Sequence, residues 1–134
     1  MTPTRLPWLE PTPIGPCVFC EIVAGRKTAA TPFSAVHSLA IVPKNPVTSG
    51  HLLVLPRVHV KDAYEDTKVT AQTMLDAARW AAALSFWNSR YRSVNFITSV
   101  GRAATTQTVL HLHLHLVPRA RDDGLALPWT GQQV

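Results

Sequence analysis

The stretch "TQTVLHLHLHLVPR", residues 106–119, decides how this chain is read. His111, His113 and His115 occupy every second position, and Leu112, Leu114 and Leu116 fill the gaps. A β-strand alternates its side chains with a period of two. The spacing therefore predicts a strand with imidazoles on one face and leucines on the other. Neighbouring imidazoles on such a face stand about 6.5–7 Å apart. A helix would scatter them around its circumference. The leucine face reads as core and the histidine face as a cleft or metal site. Three of the six histidines fall within five residues, which argues against an exposed strand carrying histidines by chance.

Around this strand the chain divides into short elements. Cys20–Ala24 reads as a short helix ended by Gly25. Ala35–Val42 reads as a strand stopped by Pro43, and "KNPVTSGH" (44–51) as turn chemistry. His51–Leu55 is a short apolar strand closed by Pro56. Thr70–Arg92 is the one long helix. Its stripe Ala77, Trp80, Leu84, Trp87, Tyr91 follows the helical period and is expected to be buried, in the core or at a dimer contact. Ser93–Ser99 is a further strand, followed by a loop through Gly101. Strands gather around one main helix without strand–helix–strand alternation, which favours an α+β fold with a mainly antiparallel sheet. Residues 1–16, with five prolines, read as an extended arm. Residues 17–119 form the domain and 120–134 a tail.

Composition narrows the function. The 134 residues are 46% hydrophobic and 16% charged, as in a single globular domain. The net charge of +5 suits an anionic partner such as a nucleotide phosphate. Basic residues are dispersed, with no run interleaved by aromatics, so no specific nucleic-acid partner is expected. No stretch is long enough for a signal peptide or a membrane span. The expected location is the cytoplasm, where thiols stay reduced. In that setting the only two cysteines, Cys17 and Cys20 in "CVFC", read as a metal half-site or a redox motif. The proline-rich context disfavours the redox reading. A zinc site needs two more ligands, of which histidine is the commonest type.

The histidine strand, His111–Val117, resembles the signature of the histidine-triad (HIT) superfamily. "CVFCEIVAG" is similar to the start of bacterial members of its Hint-like branch. "NPVTSGHLLVLPRVHV" resembles the Pro-x-x-x-Gly-His segment of that family with its trailing Pro-basic-x-His. "TQTV" stands where members carry Gly-Gln-Ser/Thr-Val. These pieces occur in family order over roughly residues 17–130.

The resemblance implies an α+β fold of about five antiparallel strands with one long and one short helix, commonly paired as a homodimer. It implies hydrolysis or transfer at the α-phosphate of a nucleotide conjugate, such as a purine nucleoside phosphoramidate. His113 is then the nucleophile that forms a nucleotidyl-histidine. His115, His51 and Gln107 join it as catalytic residues, and Gln107, Thr108, Asn95 and Trp129 join the triad as nucleotide contacts. Cys17, Cys20, His59 and His111 are implied as the ligands of a structural zinc. No organic cofactor is implied. His37 is left as a surface histidine. Pro43 stands near where the family often carries a polar ribose contact, and Thr106 replaces a glycine of the phosphate loop. These two departures favour an alternative, a binding module of the same fold with weak turnover. A second alternative is a hydrolase that uses His111, His113 and His115 together as metal ligands.

Overall fold

The computed structural model describes residues 17–102, 105 and 107–131. The proline-rich arm and Thr106 lie outside them. The elements run α1 (Val18–Val23), β1 (Phe33–Ser34), β2 (Ser38–Ile41), β3 (Leu52–Pro56), α2 (Thr67–Trp87), a 3-10 turn (Ser89–Arg92), β4 (Val94–Ile97) and β5 (Leu114–Pro118). The five strands form one antiparallel sheet in the order β1-β2-β3-β5-β4. The α+β architecture with one long and one short helix is as expected.

The sheet is covered on both faces. Leu52 and Val54 of β3 join Leu114 and Leu116 of β5 against Ala77 and Ala81 of α2. Leu53 and Leu55 point the other way, to Leu39, Ile41 and Phe19 of α1. A strand buried on both faces reads as a continuous apolar run, which is why "LLVL" shows no alternation. Full burial of a leucine contributes about 1.5–3 kcal/mol. Leu116 and Leu55 are both fully buried, one on each face of the sheet.

Several boundaries differ from the sequence reading. The ladder of β5 covers Leu114–Pro118 only, so His111 and His113 precede it. Side chains take the carbonyls that would otherwise pair. His113 uses the carbonyl of His111, and Thr98 Oγ1 donates to that of His113 at 2.8 Å. Alternation survives nonetheless, because Leu112, Leu114 and Leu116 are all buried. The expected strand over 35–42 is shorter and folds back on β1 as a hairpin. Pro56 ends β3 within the strand, where its carbonyl is free to accept.

α2 begins at Thr67, three residues early, because Asp66 caps it. Asp66 Oδ1 accepts from the backbone N–H of Lys68 and Val69 at 3.0 and 3.1 Å. It ends at Trp87, and Tyr91 lies on the separate 3-10 turn. The aromatic stripe is therefore divided. Trp80 stacks on Phe33 with ring centroids 5.5 Å apart, and Tyr91 is buried. Trp87 is not part of the core of the single chain: it is 90% exposed, beside Phe86 at 81%. The helix has run past the core by that point. No helix among the described residues is long and apolar enough to cross a membrane.

Candidate active site and metal centre

β5 is the second strand from the edge, between β3 and β4. Leu53 and Ile97 flank His115 in register. This arrangement puts His51, just before β3, beside His115: His51 Nε2 and His115 Nδ1 are 3.0 Å apart. The turn that delivers His51 depends on Gly50. Its φ is +88°, and a Cβ there would stand 2.8 Å from the Tyr91 hydroxyl, which itself donates to the Gly50 carbonyl at 2.7 Å.

The partners of each ring fix its tautomer. Val47 N–H donates to His51 Nδ1 at 3.1 Å, so that nitrogen carries a lone pair and Nε2 carries the proton. His51 Nε2–H then donates to His115 Nδ1, which leaves the His115 proton on Nε2. His113 Nδ1–H donates to the His111 carbonyl at 2.8 Å, so its Nε2 is the unprotonated nitrogen. His111 Nε2–H donates to the Pro56 carbonyl at 2.9 Å, so its Nδ1 carries a lone pair. Burial keeps all four rings neutral. It pushes His115 down to about 4, with the neighbouring His113 and His51 adding to the effect. His111 is likewise held at about 4, again chiefly by burial. His51 and His113 are lowered for the same reason.

The freed Nδ1 of His111 faces two sulfurs and another ring nitrogen. It lies 3.4 Å from Cys17 Sγ, 3.5 Å from Cys20 Sγ and 3.2 Å from His59 Nδ1. Cys20 Sγ lies 3.2 Å from His59 Nδ1. All four ligand atoms lie within 4.8 Å of one another. Tetrahedral zinc bound to two thiolates and two imidazoles holds its ligand atoms about 3.3–3.8 Å apart. The set fits zinc in both chemistry and spacing. Without a cation, burial and the neighbouring Cys17 push the Cys20 thiol up to about 11. A bound cation reverses that preference.

The reading of the three triad histidines as joint metal ligands does not match this geometry. His111 turns its free nitrogen to the cysteines, and His113 and His115 are tied to a carbonyl and to His51. Among the described residues the Cys17–Cys20–His59–His111 set is the one cluster of metal-ligating groups.

The remaining expected residues are more dispersed. Gln107 is buried with no hydrogen bond among the described residues, whereas Thr108 is exposed. Asn95 lies opposite Val117, two positions beyond His115, and its Oδ1 accepts from Arg119 Nη1 at 2.7 Å. Asn95 is thereby engaged in holding the tail's root. Trp129 is 59% exposed and touches no triad ring within the described chain. His37 is exposed, as expected.

Three contributors escaped the sequence reading. Phe19 sets its ring edge against both His111 and His113, at centroid distances of 5.8 and 5.2 Å. Val47 N–H and the Pro56 carbonyl set two tautomers, and backbone groups leave no trace in residue type. The Arg119–Asp123 ion pair, with contacts of 2.7 and 3.1 Å, clamps the chain after β5. The segment is a turn after a strand, so the spacing in "RARDD" gave no signal of this pair.

Comparison with known proteins agrees with this geometry. The chain is 32% identical over 114 residues to "Protein hit" of Bacillus subtilis, covering 84% of this chain and 78% of that one. A zinc-bound histidine triad family protein from Mycobacterium smegmatis superposes with a TM-score of 0.75 at 34% identity, over 82% of this chain and 79% of that chain. A HIT family hydrolase from Clostridium thermocellum superposes with a TM-score of 0.70 at 28% identity, over 83% and 96%. The HIT domain model matches residues 28–122, and with the triad and its cysteine–histidine cluster this chain belongs to the HIT domain family.

Proposed function

We propose that the protein hydrolyses or transfers at the α-phosphate of nucleotide conjugates, such as purine nucleoside phosphoramidates, through a nucleotidyl-histidine on His113. The observation that carries this reading is the 2.8 Å bond from His113 Nδ1–H to the His111 carbonyl. It leaves Nε2 as the unprotonated nitrogen of a neutral, half-buried imidazole. Attack forms a bond from Nε2 to phosphorus and breaks the bond to the leaving group. Water then attacks the same phosphorus and returns His113 free. Splitting one displacement into two lowers each barrier.

His115 acts as a hydrogen-bond donor. Its Nδ1 is occupied by His51, so Nε2–H is what it presents to a phosphate oxygen. Loss of that proton would leave an imidazolate, so the leaving group takes its proton from water instead. Gln107 and Thr108 add neutral donors where charge develops. The zinc proposed at Cys17, Cys20, His59 and His111 supplies a closed structural site with no open position.

The tail around Trp129 is proposed to border the nucleotide site of a partner copy. β4 is an edge strand, and exposed Phe86 and Trp87 leave an apolar patch for a homodimer to cover.

Single-turnover reaction with an adenosine phosphoramidate, read by intact mass, tests the proposal. An adenylyl adduct on wild type that is absent from His113→Ala supports it. Equal hydrolysis by both proteins overturns it and favours the weak binding module, which Pro43 and Thr106 motivate.

A further inference from the structure

A second groove, of about 490 Å³, opens at the far end of β5 from His113. Pro118 forms part of its floor. By alternation Pro118 shares the α2 face with Leu114 and Leu116, whereas His113 and His115 face the α1 side. The turn at Thr48 and Ser49, the segment Asn88–Arg90 and Asp123 complete its walls. This volume falls in the range of small-molecule sites, roughly 300–1,000 Å³.

The polar groups of the groove are unevenly spent. Both oxygens of Asp123 are saturated: Oδ2 accepts from Arg119 Nε and Ala120 N–H, and Oδ1 from Arg119 Nη2 and Leu125 N–H. Its negative charge is thus cancelled by Arg119. Asn88 Oδ1 accepts from the Arg90 backbone, which leaves its amide N–H₂ unspent. The Ser49 and Ser89 hydroxyls and the Arg90 guanidinium make no hydrogen bond or ion pair among the described residues. The Arg90 stem passes over Gly50, its Cδ 3.0 Å from where a Cβ on that glycine would stand. What remains is one uncompensated cation and three neutral donors, with no unspent carboxylate. A multi-oxygen anion matches that inventory. A bare phosphate fills only a small part of such a volume.

We propose that this groove is a second ligand site, which takes a phosphate monoester of nucleotide size with its phosphate on Arg90, Ser49 and Ser89. The site is separate from the triad, although the two share the 47–51 turn. Its existence does not rest on the proposed reaction.

Titration of the full chain with adenosine monophosphate, followed by amide NMR shifts, tests it. The amides of Ser49, Ser89 and Arg90 are expected to move on their own saturation curve, separate from those of Leu112–His115. Arg90→Gln, which keeps the stem over Gly50, is expected to weaken that curve at least tenfold and leave the triad curve unchanged. Ser49→Ala/Ser89→Ala is expected to weaken it too. Adenosine without its phosphate is expected to leave these amides in place. The inference is overturned if they do not move by about 10 mM nucleotide, if Arg90→Gln moves them equally, or if adenosine does. Failure of the triad amides alone to respond counts against the proposed reaction and leaves this site standing.

Discussion

His111 serves the site twice: its carbonyl accepts the Nδ1 proton of His113 at 2.8 Å, while its own Nδ1 faces Cys17, Cys20 and His59. One residue thus sets the tautomer of the proposed nucleophile and closes the cysteine–histidine set. Disturbance of the metal set is transmitted directly to the neighbouring ring.

Metal content follows from that set. The protein from zinc-replete medium is expected to hold one zinc per chain, and Cys17→Ser/Cys20→Ser none, by elemental analysis. Chelation is expected to lower the Tm without abolishing the fold, because two apolar clusters persist around the sheet. Retention of zinc by the double variant would place the metal elsewhere.

His113→Ala is expected to lose turnover by several orders of magnitude while still binding nucleotide monophosphate. His115→Ala is expected to cost about 10²–10⁴-fold, as for removal of a donor aimed at developing charge. Parallel kcat and binding measurements check both. A loss of binding equal to the loss of rate would show that the imidazoles only hold substrate.

The His51–His115 pair predicts acid sensitivity. Both rings fold neutral, His115 at about 4 and His51 below its ordinary value. An unfolded histidine titrates near ~6.5. Above that pH neither state is protonated, and the pair's contribution is complete. As pH falls toward 4 the unfolded chain takes up protons that the folded chain refuses, so stability declines. Below about 4 His115 protonates in the fold as well, and its share of the decline ends. The Tm of wild type should fall more steeply between pH 6.5 and 4 than that of His115→Gln. Parallel profiles would contradict the neutral pair.

Asp66→Ala removes two side-chain bonds from the start of α2. It is expected to cost about 1 kcal/mol by denaturant midpoint, with no change in kcat. No loss of stability would mean that water replaces the cap at no cost.

Trp87→Ala tests the dimer. An indole this exposed contributes little to the fold of a single chain. The variant should keep its Tm as a monomer but sediment as a weaker dimer than wild type. Identical sedimentation would leave edge strand β4 to carry the association.

Much of the site was legible because it rests on short-range pattern. The period of two marked His111, His113 and His115, and "CVFC" marked half the metal set. The pairing of His51 with His115 was out of reach of pattern, since it depends on Leu53 standing opposite His115 across two strands. Whether Trp87 meets the core or a second copy was out of reach, because helical period says which face a residue occupies and nothing about where the sheet beneath it ends. The bond made by Asn95 was out of reach for a similar reason. Its partner, Arg119, is 24 residues away and meets it only through the β4–β5 register.

Phe19 gives the cysteine segment a further consequence. It lies between the two cysteines and presses on both His111 and His113. The turn that carries the proposed metal ligands is therefore also an apolar wall beside the proposed nucleophile. A descendant of this chain that gave up its cysteines would have to rebuild that wall from another part of the sequence. The proposed hold on a metal and the shielding of the proposed nucleophile are bound together in a single turn of helix.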